Sequence, residues 1–366
     1  MFWIIREAAK HLRSLITERL YLEWGVDWTR PITIRGTVNE RCNYRCAMCL
    51  HWRPDLQRPG EMTIQEWIAA LRSLRMYVGR FKISLTGGEP FLKKGFVDLL
   101  EFCAEEGIDH STTTNGSLLS GPMVRRYVAT KPRFLNVSVD GPTPEIHDRS
   151  RGVRGSLQTI ERAIACLHEE QSRQGVFFPI RIKATLHAEN FRVMPGMVEW
   201  LRRVGASTVD FEPVRHWSPE VDQRLWIGTE HLEELGRVVE ELLRQKRSGA
   251  PIETSAHRLS SLPAHFARLP IVPEVTPCRI GLQDYHIRPN GDVLVCWFME
   301  PIGNVRRQQA QAIWEGALAQ ARRLETVTCT KACAFSCQAK KPLGNLIDRG
   351  LLLLTQPAFQ PGKTLS

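Results

Sequence analysis

Long apolar runs are missing from this 366-residue sequence. The longest, Val293 to Met299, falls far short of the roughly 18 residues that a membrane-spanning helix needs, which excludes a transmembrane protein. No export signal is visible either: Arg6, Glu7, Lys10 and Arg13 interrupt the stretch from Met1 to Tyr21 and leave no apolar h-region. A chain that is not exported has no oxidising compartment in which to build a disulfide framework. Blocks of like charge are also missing. The net charge is +10, yet the basic residues are scattered, in runs no longer than pairs such as Arg306–Arg307, Arg322–Arg323 and Lys340–Lys341. No Arg-rich or aromatic-interleaved nucleic-acid module appears. The excess reads first as a solvated surface and second as attraction to phosphorylated or lipid partners. What is present is ordinary: 43% hydrophobic and 24% charged residues, the balance of a globular chain and not of a disordered one. At roughly 100–200 residues per domain the length allows two or three domains.

Cysteine is the informative residue. Of ten cysteines, Cys103 and Cys166 lie on helical patterns among apolar residues and read as small core hydrophobes. The other eight fall near the two ends: Cys42, Cys46 and Cys49, then Cys278, Cys296, Cys329, Cys333 and Cys337. Clustered reduced thiols read as metal ligands or catalytic groups.

Between them the pattern repeats. Alternating or apolar runs at Ile32–Val38, Phe81–Leu85, His110–Thr114, Phe134–Val139, Phe177–Leu186 and Thr208–Pro213 predict strands. Helical periods separate them at Thr63–Tyr77 (opened by a Thr63–Glu66 capping box), Phe96–Glu106, Pro122–Ala129, Gly155–Glu170 and Val193–Val204. Such alternation predicts right-handed βαβ units and a parallel sheet, as a partial barrel or a doubly wound sheet, with ligands beyond the C-terminal strand ends. A loop from His216 leads to a helix near Thr229, and a Pro- and Ser-rich connector follows over 248–277. Asp284–Arg288 and Val293–Phe298 flank a Pro289-Asn290-Gly291 turn and predict two strands of a second, smaller unit. Ahead of the repeat, residues 2–21 form a basic amphipathic helix with Ile5, Ala8, Leu12, Leu15, Ile16 and Tyr21 near one face. Capping of the domain is its first reading and contact with a membrane surface its second.

Cys42-x3-Cys46-x2-Cys49 follows the first strand. Three thiols within so short a loop can reach one centre. Structural zinc asks for four protein ligands and a 4Fe-4S cube for four thiolates, so three thiolates on a cube leave one iron open. The motif resembles the cluster loop of the radical S-adenosylmethionine (SAM) enzymes. The resemblance continues in Gly87-Gly88-Glu89-Pro90 after the second strand, in Thr113-Thr114-Asn115-Gly116 at the end of the third, and in Ser138-Val139-Asp140-Gly141-Pro142 at the end of the fourth. Ile146-His147-Asp148-Arg149-Ser150-Arg151-Gly152 follows, and the match covers roughly residues 30–215. It departs at the residue before the third Cys, usually aromatic and here Met48, whose thioether can still pack on an adenine face.

The resemblance implies an α/β fold, a partial (β/α)6 TIM-type barrel. Cys42, Cys46 and Cys49 would hold a 4Fe-4S cluster whose open iron chelates the amino and carboxylate groups of SAM. Gly87 and Gly88 would admit the methionyl part, Glu89 would accept from its ammonium, and Arg151 would meet its carboxylate. Asn115 and Ser138 would contact the ribose. One electron from the reduced cluster would break the C5′–S bond of SAM, and the 5′-deoxyadenosyl radical would take a hydrogen atom from the substrate, with flavodoxin or ferredoxin as the reductant. Cys278-x12-Gly291-x4-Cys296 resembles the SPASM/Twitch modules that hold auxiliary 4Fe-4S clusters in this superfamily. Two fully Cys-ligated cubes need eight thiolates, and this group has five. One auxiliary cluster is therefore expected, on Cys278, Cys296 and two of Cys329, Cys333 and Cys337.

The expected organisation is an N-terminal helical extension (1–27), a radical SAM core (28–225), a helix and connector (226–275), an auxiliary-cluster domain (276–345) and a tail (346–366). A peptide or small molecule is the expected substrate. Only 41 residues precede Cys42, too few for a leader-binding domain plus the first strand, so a partner would supply leader binding. A cytoplasmic protein, peripheral to the inner membrane face if the first helix binds lipid, is the matching location. The alternatives are a radical SAM enzyme acting on RNA or a lipid-linked substrate, and a non-enzymatic zinc-stabilised RNA-binding protein.

Overall fold

A computed structural model describes residues 2–49, 52–53, 60–216, 218–271, 277–329 and 333. In chain order the core reads α1 (Phe2–Trp24), β1 (Thr33–Thr37), α2 (Ile64–Val78), β2 (Lys82–Thr86), α3 (Phe96–Glu105), β3 (Asp109–Thr114), α4 (Gly121–Ala129), β4 (Leu135–Ser138), α5 (Pro144–Arg151), α6 (Ser156–Gln174), β5 (Ile180–Leu186), α7 (Met197–Val204) and β6 (Thr208–Pro213). Then follow α8 (Pro219–Leu225), α9 (Leu232–Arg247), α10 (Ala256–Ser260), α11 (Leu262–Phe266), α12 (Ile280–Gln283), β7 (Asp284–Ile287), β8 (Asp292–Leu294), β9 (Gly303–Asn304), α13 (Ala310–Glu315) and α14 (Ala317–Val327).

The capping box is formed as expected. The Thr63 N–H donates to Glu66 Oε2 at 2.7 Å and the Glu66 N–H to Thr63 Oγ1 at 3.2 Å, which fixes the start of α2. The strands order as β6-β5-β4-β3-β2-β1-β7-β8-β9, parallel from β6 through β7. The six core strands follow chain order without reversal. A doubly wound sheet needs a reversal; crossovers that always advance in one direction curl the sheet into an open, partial barrel. Strands alternate accordingly. In β5, Ile180, Ile182, Ala184 and Leu186 are buried under the helices, while Arg181, Lys183 and Thr185 face the other side. Gly36 of β1 is glycine because of packing: a Cβ there would meet Leu85 Cδ2 at 2.8 Å and the Trp67 indole at 3.0 Å. Trp67 of α2 is fully buried there.

Two expectations change. The strand at Asp284 pairs in parallel with β1, Arg35 opposite His286, and Arg35 Nε donates to Asp284 Oδ2 at 2.9 Å. The second unit thus extends the core sheet. The first helix also sits the other way round. Leu12, Leu15 and Ile16 are exposed, while Ser14, Thr17 and Glu18 are buried. Glu18 accepts from Ser14 Oγ at 2.5 Å, Gln283 Nε2 at 2.8 Å and Arg279 Nη1 at 3.3 Å. Here the helix packs on the body through polar bonds, with Leu12, Leu15 and Ile16 turned outward.

Candidate functional site

The C-terminal strand ends converge on the loop after β1. The Gly88 N–H donates to Asn39 O at 3.0 Å, the Glu89 N–H to Arg41 O at 2.8 Å, and Asn39 Nδ2 to Glu89 O at 2.8 Å. The loop lies flush on the turn after β2. A Cβ on Gly87 would meet Asn39 Oδ1 at 2.3 Å, and one on Gly88 would meet Arg41 O at 2.1 Å. The cysteine loop itself requires both glycines, before any nucleotide is considered. Glu89 is fully buried. Its Oε1 accepts from the Phe91 N–H at 3.1 Å and Thr114 Oγ1 at 2.8 Å, and its Oε2 from the Asn115 N–H at 2.8 Å. Burial pushes its pKa up to about 7 against the pull of these three donors. Glu89 thus ties β2 to the end of β3.

Cys46 is buried, and Cys42 and Cys49 are partly so. Burial raises the Cys42 and Cys46 thiols, yet donors are aimed at both sulfurs. Cys42 Sγ receives the Tyr44 N–H at 3.4 Å and Asn115 Nδ2 at 3.7 Å. Cys46 Sγ receives Arg151 Nη1 at 3.8 Å. N–H donors around buried sulfur suit thiolate, the form that ligates metal. Arg151 Nε is buried and unpartnered, in keeping with an anionic group beside it. The donor set therefore fits an iron–sulfur cluster. Among the described residues no three His, Cys, Asp or Glu side chains converge as on a single ion.

Asp140 organises the far side. It is fully buried and accepts from Arg151 Nη2 at 2.7 Å, the Thr185 N–H at 2.9 Å and Ser150 Oγ at 2.7 Å. Ser150 Oγ also lies 3.1 Å from His187 Nε2. Asn190 Nδ2 donates to Asp140 O at 2.9 Å and to Thr185 O at 2.8 Å. His187 and Asn190 are both buried in this network. Asp140 was visible in its motif without a role, because nothing local announces a carboxylate that collects three donors from α5 and β5. Asn115 Nδ2 also donates to Asn43 Oδ1 at 3.0 Å, and Met48 is buried. Ser138 lies in register with Lys183 and, one strand on, Asp210. Lys183 Nζ donates to Asp210 Oδ2 at 2.5 Å.

In the C-terminal group, Cys278 precedes α12, Cys296 follows β8, and Cys329 follows α14, its N–H donating to Thr326 O at 3.3 Å. A Cβ on Gly281 would meet Thr326 Oγ1 at 2.2 Å. This close approach of α12 to α14 sets the segments bearing Cys278 and Cys329 side by side. Cys333 is partly buried, and Cys337 lies outside the described residues.

The radical SAM superfamily profile matches residues 37–182, and the SPASM iron–sulfur cluster-binding domain profile matches residues 278–338. The chain is a radical SAM enzyme with a C-terminal SPASM domain. The AdoMet-dependent heme synthase of Methanosarcina barkeri is 22% identical over 310 residues, 78% of this chain and 83% of that one. The PqqA peptide cyclase of Rhodopseudomonas palustris is 24% identical over 322 residues, 85% and 80% of the two chains. Streptococcus suis SuiB bound to precursor peptide SuiA superposes with a TM-score of 0.62 at 18% identity, covering 88% of this chain and 72% of that one. The partial-barrel fold expected from sequence is thereby confirmed, and the non-enzymatic zinc reading is set aside.

Proposed function

We propose that this enzyme cleaves SAM reductively and abstracts a hydrogen atom from a polar peptide or small molecule held on the inner face of the open barrel. The observation that carries this is the polarity of that face. Arg35, Ser84 and Ser111 form one row across β1–β3, and Ser138, Lys183 and Asp210 another across β4–β6. An apolar macrocycle needs apolar walls; rows of hydroxyls and ion pairs suit a chain of amides and charged groups. Cys42, Cys46 and Cys49 would hold the 4Fe-4S cluster, with Met48, Gly87, Gly88, Glu89, Asn115, Ser138 and Arg151 around the SAM. The cluster and SAM supply the radical; the protein supplies orientation and excludes water. Cys278 and Cys296, with two of Cys329, Cys333 and Cys337, would hold one auxiliary cluster, and flavodoxin or ferredoxin would supply electrons.

The test is anaerobic reconstitution. About eight irons per chain are expected, two cubes, and with dithionite the protein releases 5′-deoxyadenosine from SAM, faster when a polar substrate peptide is present. Replacement of Cys42, Cys46 or Cys49 by Ala abolishes release. A colourless, zinc-bound preparation with no release overturns the reading.

The outward apolar stripe of α1 favours a second element, peripheral contact with an anionic membrane and with it a lipid-linked substrate. Leu12, Leu15 and Ile16 would enter the interface beside Arg13 and Arg19. Co-sedimentation with anionic but not neutral vesicles, lost in Ile16→Glu, is the expected result.

A further inference from the structure

The C-terminal turn of α5 grips the cysteine loop at three successive residues. The Ala47 N–H donates to Ser150 O at 3.0 Å. Arg151 Nη1 reaches Cys46 Sγ at 3.8 Å. Gly152, with φ +70°, sits so close that a Cβ would meet Arg45 O at 2.6 Å. Arg151 is held in turn: its Nη2 donates to Asp140 Oδ1 at 2.7 Å, and Asp140 is fixed by Ser150 and the Thr185 N–H. A side chain so thoroughly braced is not free to swing between partners. Its fork is divided, one nitrogen to a carboxylate and the other to a sulfur that would ligate iron.

We propose that Arg151, oriented by Asp140, is a positioning residue that sets the reduction potential of the SAM-binding cluster through its hydrogen bond to Cys46 sulfur. This rests on the cluster assignment above. Reduction adds negative charge to the cluster. A guanidinium N–H on one of its sulfurs stabilises the reduced form more than the oxidised one and raises the potential. The bond precedes SAM, so the effect is present in the SAM-free protein. That separates it from a contact to the SAM carboxylate, which acts only once SAM is bound.

The test is an EPR-monitored redox titration of the full holoenzyme without SAM, reading the cluster signal that SAM perturbs when added afterwards. Arg151→Gln is expected to move the midpoint to a more negative potential with iron content unchanged. Arg151→Lys, which keeps the charge but cannot divide its donors, moves it in the same direction by less. A midpoint in Arg151→Gln equal to the parent's, with SAM affinity alone reduced, overturns the proposal. Should Arg151→Gln not fold, Arg151→Lys decides by itself, and a midpoint equal to the parent's overturns it. Absence of any SAM-perturbed signal in the parent would instead be a failure of the cluster assignment.

Discussion

Glu89 shows how a motif residue can do structural work that its motif does not announce. Two backbone N–H groups, of Phe91 and Asn115, depend on its carboxylate inside the protein. Leaving a buried donor unpaired costs about 1–3 kcal/mol. Glu89→Ala is therefore expected to destabilise the fold by about 2 kcal/mol or more, measured as a lower urea midpoint. Gly88→Ala tests the neighbouring contact. Its methyl would collide with Arg41 O, so the loop must shift, and iron bound at the first site falls while the auxiliary site keeps its own. The cysteines, Glu89 and Arg151 were legible because spacing and order survive in a bare sequence. Their partners were not. That Arg151 meets Asp140 and Cys46 follows only from where α5 lands, and no residue's type records that.

At the scale of elements, apolar period decided what could be read. The five helices between core strands that bury aliphatic stripes, such as Leu157, Ile160, Ile164 and Leu167 of α6, match expectation within a few residues. The helix α5 escaped it because the side chains it buries are His147, Ser150 and Arg151, which leave no hydrophobic rhythm. Its signal lay instead in Pro144 at the first turn and Gly152 in the left-handed conformation at the end. The helix α13 buries Ala310, Ile313 and Trp314 at helical spacing, a run too short for its period to stand out in the sequence. With α1 the period was right and its direction wrong: polar bonds, not area, choose its buried side. Glu18→Ala is accordingly expected to cost about 1–3 kcal/mol, because it strands Gln283 and Arg279. Leu12→Ser changes stability by no more than about 0.5 kcal/mol. Paired urea titrations of the two variants check the contrast.

For the whole molecule, acid is the condition that exposes its buried imidazoles. Burial pushes His110 and His147 down to about 4 and His286 to about 3, below the ordinary value of about 6.5. Below 6.5 the unfolded chain takes up protons that the folded protein refuses until about 4. The unfolded state then binds more protons, so stability falls as pH falls through that window and is fully present above it. Urea midpoints at pH 7, 6 and 5 should drop in that order, and His110→Gln should flatten the slope. The open barrel was legible from the strand–helix alternation. The pairing of β7 with β1 was not, since contacts between segments so far apart leave no local pattern.

That pairing has a consequence for how the chain can be cut and recombined. The strand that launches the first cysteine loop is zipped on one side to its own barrel and on the other to the module bearing the second cysteine group. Cleaving the gene before Asp284 would bare a naked flank of β1, a template for sticking to other chains. A shortened product ending near residue 275 should accordingly come out as aggregate while the intact chain does not, judged by size-exclusion chromatography. A graft of the C-terminal module onto another barrel will take only if the donor's first strand is cut to fit the host's rim.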